Sequence, residues 1–298
     1  LGDVRPPTPH GLDPVGKVHA KDYIDFLSTV WDLWTQAGYE GEAMPTTWPA
    51  RRMQDRRPRD IDGLLGYYSM ASETAISGGT WEAAQASADV ALTAQAEVQN
   101  GDPAVFALCR PPGHHAARDM YGGYCFLNNA AIAAQAFRDG GAERVAIVDV
   151  DFHHGNGTQD IFYGRGDVFF ASLHGAPEDA FPHFLGYADE LGEGEGEGAT
   201  LNLPMPRDTG WDVWGEALDT ACDRALDHGA DAVVISFGAD TYAEDPISFF
   251  RLTSDDFIRM GARIADMGKP TLFVMEGGYA VEALGTNTVN VLTGFEGA

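Results

Sequence analysis

Four short apolar segments of this 298-residue chain run directly into glycine and ionisable residues. Each is rich in β-branched or aromatic residues, which is typical of a strand buried on both faces. The segments are 104–109, 145–149, 232–238 and 271–275, followed in turn by His114-His115, by Asp151 and His153, by Asp240, and by Glu276 and Tyr279. Helical patterns at 128–138 and 214–228 lie between them. The sequence therefore predicts an α/β fold, a single-domain parallel sheet with helices on both faces.

The ionisable residues that follow these segments are expected to meet. In open parallel sheets the carboxyl ends of the strands share one edge, and ligands bind there. Asp151 and His153 are two residues apart, so strand geometry would point both side chains to the same side of the sheet. Ionisable groups are costly to bury unless an opposite charge compensates them, and a divalent metal ion is the simplest such charge.

The composition bounds the class of protein. With 44% hydrophobic residues the chain can form one large domain, predicted to span residues 1–298, and no apolar stretch approaches a membrane span. A net charge of −26 disfavours nucleic acid and anionic membranes as partners and favours cationic ligands. Solubility or adaptation to salt is the more general explanation of the same charge. The cysteines Cys109, Cys125 and Cys222 are too scattered for a disulfide framework, which favours a cytoplasmic location.

The candidate metal ligands are Asp151, His153 and Asp240. Three protein ligands leave a position for water or substrate, as in catalytic rather than structural sites. This mixture of oxygen and nitrogen donors suits Zn²⁺, with Fe²⁺ and Co²⁺ as alternatives. Gly155 stands where a ligand to a second metal would be expected, so one ion per chain is favoured.

The remaining residues predict a hydrolytic reaction. The tandem His114-His115 follows Pro-Pro-Gly, a rigid turn, and a neutral imidazole can act as general base on water. Tyr279 follows two glycines, and its phenol can donate a hydrogen bond to an oxyanion. Together these groups predict metal-assisted hydrolysis of an amide without a covalent intermediate. No Gly-x-Ser-x-Gly elbow competes with this interpretation.

These motifs resemble those of the arginase–deacetylase superfamily, specifically the zinc-dependent deacetylases that include the histone deacetylases. The matching blocks begin at Arg110 (RPPGHHA), Gly122 (GGYCFLNN), Asp149 (DVDFHHGNGTQ), Ser172 (SLH), Gly238 (GAD) and Glu276 (EGGY), in the family's order. Within the superfamily the chain is most similar to bacterial acetylpolyamine amidohydrolases, through residues 23–27, 31–41, 160–163, 181–184 and 245–250. Leu1 begins later than the family's usual amino-terminal strand, which we expect to be missing from this sequence.

The resemblance implies a role for each matching residue. It implies Asp151, His153 and Asp240 as zinc ligands, His115 as general base and acid, His114 as its electrostatic neighbour, and Tyr279 as the transition-state hydrogen-bond donor. Asp149 and Asn156 are implied to orient His114 and His115. Tyr124 and Phe181, with Gly123 beside them, are implied to wall the acyl-chain tunnel. A structural K⁺ is implied at Asp149, Asp151, His153, Ser172 and Leu173.

The resemblance also implies a substrate and an assembly. The inserted loop 41–63 is expected to narrow the channel mouth and to form part of a homodimer interface. The first hypothesis is deacetylation of N-acetylated polyamines such as acetylputrescine, acetylcadaverine or acetylspermidine. Asp62 would meet the distal ammonium, with Asp60 and Glu73 as weaker candidates, and Ile247 would shape the entrance. The alternatives are an acetyl-lysine protein or peptide deacetylase and, from another class, an inactive ligand-binding protein on the same fold.

Overall fold

The described residues of this protein form one sheet of six strands, all parallel. The computed structural model describes residues 2–52 and 56–298. In chain order the strands are β1 (Ala104–Ala107), β2 (Val145–Asp149), β3 (Val168–Gly175), β4 (Thr200–Met205), β5 (Ala232–Phe237) and β6 (Thr271–Met275). Across the sheet they lie in the order β1-β6-β5-β2-β3-β4. The predicted parallel sheet is confirmed.

In the described part of the chain, eight α-helices connect and cover the strands. They are α1 (Lys21–Gln36), α2 (Ile61–Tyr67), α3 (Thr80–Gln99), α4 (Asn129–Asp139), α5 (Asn156–Phe162), α6 (Trp211–Asp227), α7 (Ser254–Ala265) and α8 (Val281–Glu296). Short 3₁₀ turns occupy Val15–Lys17 and Gly194–Gly196. The described part of the chain contains no helix that is long and apolar enough to cross a bilayer.

Two hydrophobic cores lie on opposite faces of the sheet, because side chains of a strand alternate between its faces. In β2, Val145 and Ile147 pack into the core that holds the buried residues of α1, α3 and α4. Ala146 and Val148 pack into the core that holds those of α6, α7 and α8. Both faces are covered, so β2 is buried along its whole length, as a continuous apolar run predicts.

The predicted elements differ from the observed ones mainly at their ends. The first segment leaves the sheet at Ala107 rather than at Cys109, and the helix predicted from 214 begins at Trp211. The helix predicted at 128–138 begins at Asn129, because the Asn128 side chain accepts a hydrogen bond from Ala131 N and caps it. The sequence pattern did not single out β3 and β4, since polar residues interrupt β3 and Pro204 lies in the edge strand β4.

Candidate active site

Sheet order brings the predicted site residues to one edge. Strands β6 and β5 lie between β1 and β2, so the segments that follow all four strands are neighbours. The His pair follows β1, Tyr279 follows β6, Asp240 follows β5, and Asp151 with His153 follows β2. The side chains of His114, His115, Asp151, His153 and Asp240 are all buried here. The carboxyl edge is therefore the candidate active site, as predicted.

Asp151, His153 and Asp240 form a compact set of donor atoms. One ligand atom from each lies within 4.8 Å of the others, and all three residues are buried. His153 Nδ1 lies 3.1 Å from Asp151 Oδ1 and 3.0 Å from Asp240 Oδ2. The remaining carboxylate oxygens accept backbone hydrogen bonds, Asp151 Oδ2 from Gly277 N and Asp240 Oδ1 from Phe152 N. These bonds fix the orientation of both carboxylates.

The electrostatics of this set call for a cation. Burial and the neighbouring Asp151 carboxylate raise the pKa of Asp240 to about 7. Burial opposes protonation of His153, but its hydrogen bonds to Asp151 and Asp240 outweigh burial and raise its pKa to about 9. Two carboxylates this close repel each other in a dry environment unless positive charge lies between them. The two carboxylates and the imidazole fit a divalent metal ion in both donor type and number.

A bend, rather than strand geometry, brings Asp151 and His153 together. Strand β2 ends at Asp149, two residues before the first ligand. Asp149 Oδ1 accepts the Asp151 N–H at 3.1 Å, and Asp151 Oδ1 accepts the His153 N–H at 2.8 Å. The expectation that alternation along a strand aligns these residues is wrong, although they do meet.

Gly155, two residues after His153, supports a site for a single metal ion. A Cβ atom at Gly155 would lie 2.1 Å from Asp149 Oδ2. No carboxylate ligand could therefore be built at this position without displacing Asp149.

The tandem histidines have different partners. His114 Nδ1 lies 2.9 Å from Asp149 Oδ2, whereas His115 Nδ1 lies 2.6 Å from Asn156 Oδ1. An amide oxygen accepts hydrogen bonds, so His115 carries its proton on Nδ1 and leaves Nε2 with a free lone pair. Asp149 and Asn156 thus contact the two histidines that the resemblance implied they orient.

The two rings also differ in charge. Burial opposes protonation of His114, but the carboxylates of Asp149 and Asp151 outweigh burial and raise its pKa well above the usual range. Burial, followed by the neighbours His114 and His153, lowers the pKa of His115 well below the usual range. His115 is therefore the neutral imidazole that can accept a proton from water at neutral pH.

Asn156→Asp is expected to shift the pH–rate profile to the alkaline side. A carboxylate behind His115 stabilises the imidazolium and raises the pKa of His115, so the neutral base is lost at a higher pH. We expect the acid limb of the kcat/KM profile to move up by about one pH unit. The measurement is steady-state kinetics from pH 9 down to the lowest pH at which the protein stays folded, because the pKa of wild-type His115 lies well below the usual range; Asn290→Asp, outside the pocket lining, is the control. An unmoved acid limb would show that the residue at position 156 does not affect the pKa of the general base.

Glu276 holds the loop that carries the histidines. Its Oε2 accepts the backbone N–H groups of Gly113 and His114 at 2.7 and 3.1 Å, and its Oε1 accepts the Ser236 hydroxyl at 3.1 Å. Glu276 also groups with His114 and Cys125 in a second cluster of potential ligand atoms. Because its oxygens already accept three hydrogen bonds, we assign Glu276 to holding the loop rather than to a second metal.

A pocket of about 450 Å³ leads to these residues. His115, His153 and Tyr279 contribute to its lining. The same lining includes Tyr124, Phe181, Gly123 and Ile247, for which the resemblance implied a role in substrate binding. The Phe181 ring meets His115 edge-on with centroids 5.1 Å apart, and the Tyr124 and Tyr279 centroids are 6.1 Å apart. A Cβ atom at Gly123 would lie 2.2 Å from His115 Cδ2, so the base needs glycine at this position.

Comparisons with known proteins agree with this geometry. The family model described as the histone deacetylase domain matches residues 3–295. The chain belongs to this family. It is 59% identical to the acetylpolyamine amidohydrolase of Mycoplana ramosa and 58% identical to acetylpolyamine amidohydrolase 1 of Pseudomonas aeruginosa, covering 99% and 100% of this chain and 86% and 87% of those proteins. The solved acetylpolyamine aminohydrolase of Burkholderia pseudomallei matches with a TM-score of 0.94 and 41% identity, over 98% of this chain and 85% of that one.

Membership of the histone deacetylase family makes the chain a hydrolase and confirms the predicted fold class. The family is metal-dependent, which agrees with the donor set formed by Asp151, His153 and Asp240. The carboxyl edge of the sheet is thus the active-site edge of a deacetylase fold.

The three acidic residues considered for substrate binding do not lie together. Glu73 lines the pocket, together with Asp179 and Arg207. Asp62 lies on α2 outside this lining, and its Oδ2 accepts the Tyr39 hydroxyl at 3.0 Å. Asp60 caps the same helix through Asp62 N. The role of Asp62 stays a prediction, and Glu73 is the better placed carboxylate within one chain.

The residues expected to hold a structural cation are adjacent and buried. Asp149 and Ser172 are register partners in β2 and β3, and Leu173 follows in β3. Ser172 Oγ lies 2.9 Å from His174 Nδ1. His174 Nε2 lies 2.8 Å from Gly186 O and must donate to it, so Nδ1 accepts the Ser172 proton and leaves that oxygen's lone pairs free.

Sequence reasoning missed two residues near the site, one that binds the backbone and one that forms an ion pair. Asp245 accepts the Tyr279 N–H at 2.7 Å. Asp179 lies 3.8 Å from Arg207 Nε in the pocket lining. Neither residue follows a strand directly or belongs to a ligand motif. Only the fold brings them to the site.

Proposed function

We propose that this protein hydrolyses the acetamide bond of N-acetylated polyamines, such as acetylputrescine, acetylcadaverine and acetylspermidine, to the free amine and acetate. The observation that carries this proposal is the pocket, which is lined by His115, Tyr279 and His153, the last of these a member of the buried donor set. The proteins that are 55–59% identical to nearly the whole chain are acetylpolyamine amidohydrolases by name, which supports the substrate class.

Zn²⁺ is the ion we assign to Asp151, His153 and Asp240, and one per chain is expected. When bound, a divalent ion would polarise the acetamide carbonyl and acidify water beside it. Metal analysis of the purified protein distinguishes zinc from iron and cobalt. A structural K⁺ at Asp149, Asp151, His153, Ser172 and Leu173 is part of the same proposal, supported by the buried oxygens of Asp149 and Ser172.

The protein's own side chains then supply the proton transfers and the hydrogen bond that the reaction needs. His115 Nε2 accepts a proton from the attacking water, since Asn156 holds the ring's other proton on Nδ1. Burial, together with Asp240 and Asp151, raises the pKa of Tyr279, so its phenol stays protonated and donates to the developing oxyanion. The imidazolium of His115 returns its proton to the departing amine nitrogen. The positive charge of His114, balanced by Asp149, favours the anionic transition state.

The pocket supports a slender cationic substrate. Tyr124 and Phe181 supply aromatic walls for an alkyl stem, and Glu73 and Asp179 supply negative charge. Arg207 lies near Asp179, which leaves Glu73 as the acid of the lining that has no ion pair within residues 2–52 and 56–298. An excess of 26 negative charges over the chain would attract polycations at long range.

The alternative substrate is acetyl-lysine in a protein or peptide, since the same catalytic groups would serve it. Kinetics with acetylcadaverine and an acetyl-lysine peptide decide between them, at a defined metal content. We expect kcat/KM to favour acetylcadaverine by at least tenfold. A preference for the peptide would overturn the polyamine assignment and leave the deacetylase chemistry intact.

Glu73→Gln is expected to raise the KM for acetylcadaverine about two- to fivefold and to leave kcat unchanged, because an exposed carboxylate attracts an ammonium only weakly. Asp62→Asn is measured in parallel, since it carries the prediction made from the sequence. N-Butylacetamide, which lacks the ammonium group, is the control substrate, and its KM should not change. An equal rise for both substrates would mean that Glu73 does not recognise charge.

The described parts of the loop 41–63 support its proposed place at the channel mouth. Trp48 Nε1 donates to Ser69 Oγ at 3.1 Å, and the Arg51 guanidinium lies over the Phe184 ring, three residues after the pocket wall Phe181. Residues 53–55 lie outside the described residues. Met44, Trp48 and Phe184 are exposed apolar residues, which supports the homodimer proposal. Analytical ultracentrifugation tests it.

The free, buried cysteines agree with the cytoplasmic location proposed here.

A further inference from the structure

The buried side chain of Asp245 is bonded to three backbone N–H groups at the pocket. Its Oδ2 accepts the N–H groups of Tyr279 and Ala280 at 2.7 and 3.1 Å. Its Oδ1 accepts the N–H of Ile247 at 3.1 Å. One carboxylate therefore joins the residue that carries the phenol to a residue that lines the pocket entrance.

Tyr279 needs an external anchor because of the residues before it. Glu276, Gly277 and Gly278 separate it from the end of β6. Gly278 has a φ of +144°, a conformation that few other residues adopt. Gly277 is held by its hydrogen bond to Asp151 Oδ2 at 2.9 Å. Among residues 2–52 and 56–298, no side chain hydrogen-bonds the Tyr279 phenol. The Asp245 carboxylate is thus the contact that fixes the backbone from which the phenol projects.

The same loop also carries a metal ligand. Asp240 and Asp245 lie five residues apart in the segment after β5, and hydrogen bonds from Tyr242 N to Ala239 O and from Asp245 N to Tyr242 O fold this segment on itself. A displacement of Tyr279 relative to Asp240 must therefore break the Asp245 contacts or deform this turn.

We propose that Asp245 is a positioning residue for the Tyr279 phenol, which it holds at a fixed distance from Asp240 and the pocket entrance. This inference rests on the proposed function, since it assigns Tyr279 its role as hydrogen-bond donor. Asp245 is not part of the pocket lining, so we expect its effect on the rate to come through Tyr279 rather than through contact with the substrate. Misplacing a catalytic group by about 1 Å can cost up to about 100-fold in rate.

A double-mutant cycle tests this mode of action. Asp245→Ala is expected to lower kcat at least tenfold in the wild-type background and to change KM by less than threefold. In the Tyr279→Phe background the same change should lower kcat by less than twofold, because the group it positions is already gone. An equal reduction in both backgrounds, or an unchanged kcat in the wild-type background, would overturn the proposal.

Two further variants separate positioning from stability. Asp245→Asn keeps an oxygen that can accept the Tyr279 and Ala280 N–H groups, so it should retain kcat within threefold while Asp245→Ala does not. Asp231→Ala is the matched control, because Asp231 also accepts two consecutive backbone N–H groups, those of Glu143 and Arg144, and precedes β5 at the opposite edge of the sheet. It should leave kcat unchanged. If Asp245→Ala does not fold, the cycle is run with Asp245→Ser, which has the same expected outcome.

The substrate assignment and this inference fail in different ways. The cycle is measured with acetylcadaverine and with an acetyl-lysine peptide, using protein of equal metal content. A wild-type preference for the peptide contradicts the proposed polyamine function but leaves the cycle interpretable. Additive effects with both substrates contradict the role of Asp245 whichever substrate is preferred.

Discussion

Tyr279→Phe is expected to lower kcat by about 100-fold or more and to leave the metal content at that of the wild type. Losing a single donor to a developing oxyanion costs about 100- to 1000-fold in comparable enzymes. The phenylalanine ring keeps the apolar contacts of the tyrosine, so the pocket wall is preserved. Burial and the carboxylates of Asp240 and Asp151 raise the pKa of the phenol, so the wild-type donor is present across the neutral range.

The measurement is kcat, KM and metal content for Tyr279→Phe, compared with Tyr163→Phe outside the pocket lining. A role confined to the transition state predicts a lower kcat with KM changed little. If the variant turns over at the wild-type rate, the phenol is not the donor, and the inference about Asp245 loses its basis as well.

Asp240→Ala is expected to abolish tight metal binding and activity together. Asp240 supplies one of two carboxylates in a three-donor set, so its loss should weaken metal affinity by more than the 10- to 100-fold typical of an outer hydrogen-bond partner. The measurement is metal content after dialysis against a chelator, followed by competition with a chromophoric chelator. One ion per chain in dialysed Asp240→Ala would exclude Asp240 as a ligand.

Thermal unfolding gives a second readout that does not depend on turnover. A ligand present at 100 times its Kd stabilises the folded state by about 2.7 kcal/mol. Added zinc should therefore raise the Tm of the metal-free wild type and leave the Tm of Asp240→Ala unchanged. Asp179→Asn, which removes a pocket carboxylate outside the donor set, should respond to zinc as the wild type does.

Local pattern and side-chain chemistry were sufficient to predict the parallel sheet and the donor set. The apolar runs at β2, β5 and β6 are continuous because both faces of these strands are covered. Their burial can therefore be predicted from the sequence. Asp151, His153 and Asp240 could be chosen because buried ionisable residues at strand ends are rare and costly. Strand β3 was less legible, because Ser172 and His174 interrupt its apolar run.

Contacts between distant segments could not be predicted in this way. The hydrogen bonds of Glu276 to the loop after β1 depend on β6 being the neighbour of β1, which strand order alone decides. The placement of Glu73 in the pocket lining, and of Asp62 against Tyr39, depends on how the segments before β1 pack over the site. Neither is encoded in a short motif.

The amino-acid sequence by itself determined which residues are candidates for the chemistry, because donor type, charge and periodicity are properties of a few consecutive residues. The tertiary structure alone decided which of these residues meet and what holds them there. The bend after Asp149 and the hydrogen bond from Tyr279 N to Asp245 are features that only the tertiary structure decided. The physical reason is that a hydrogen bond between residues 34 positions apart exists only once the sheet has brought the two loops to the same edge.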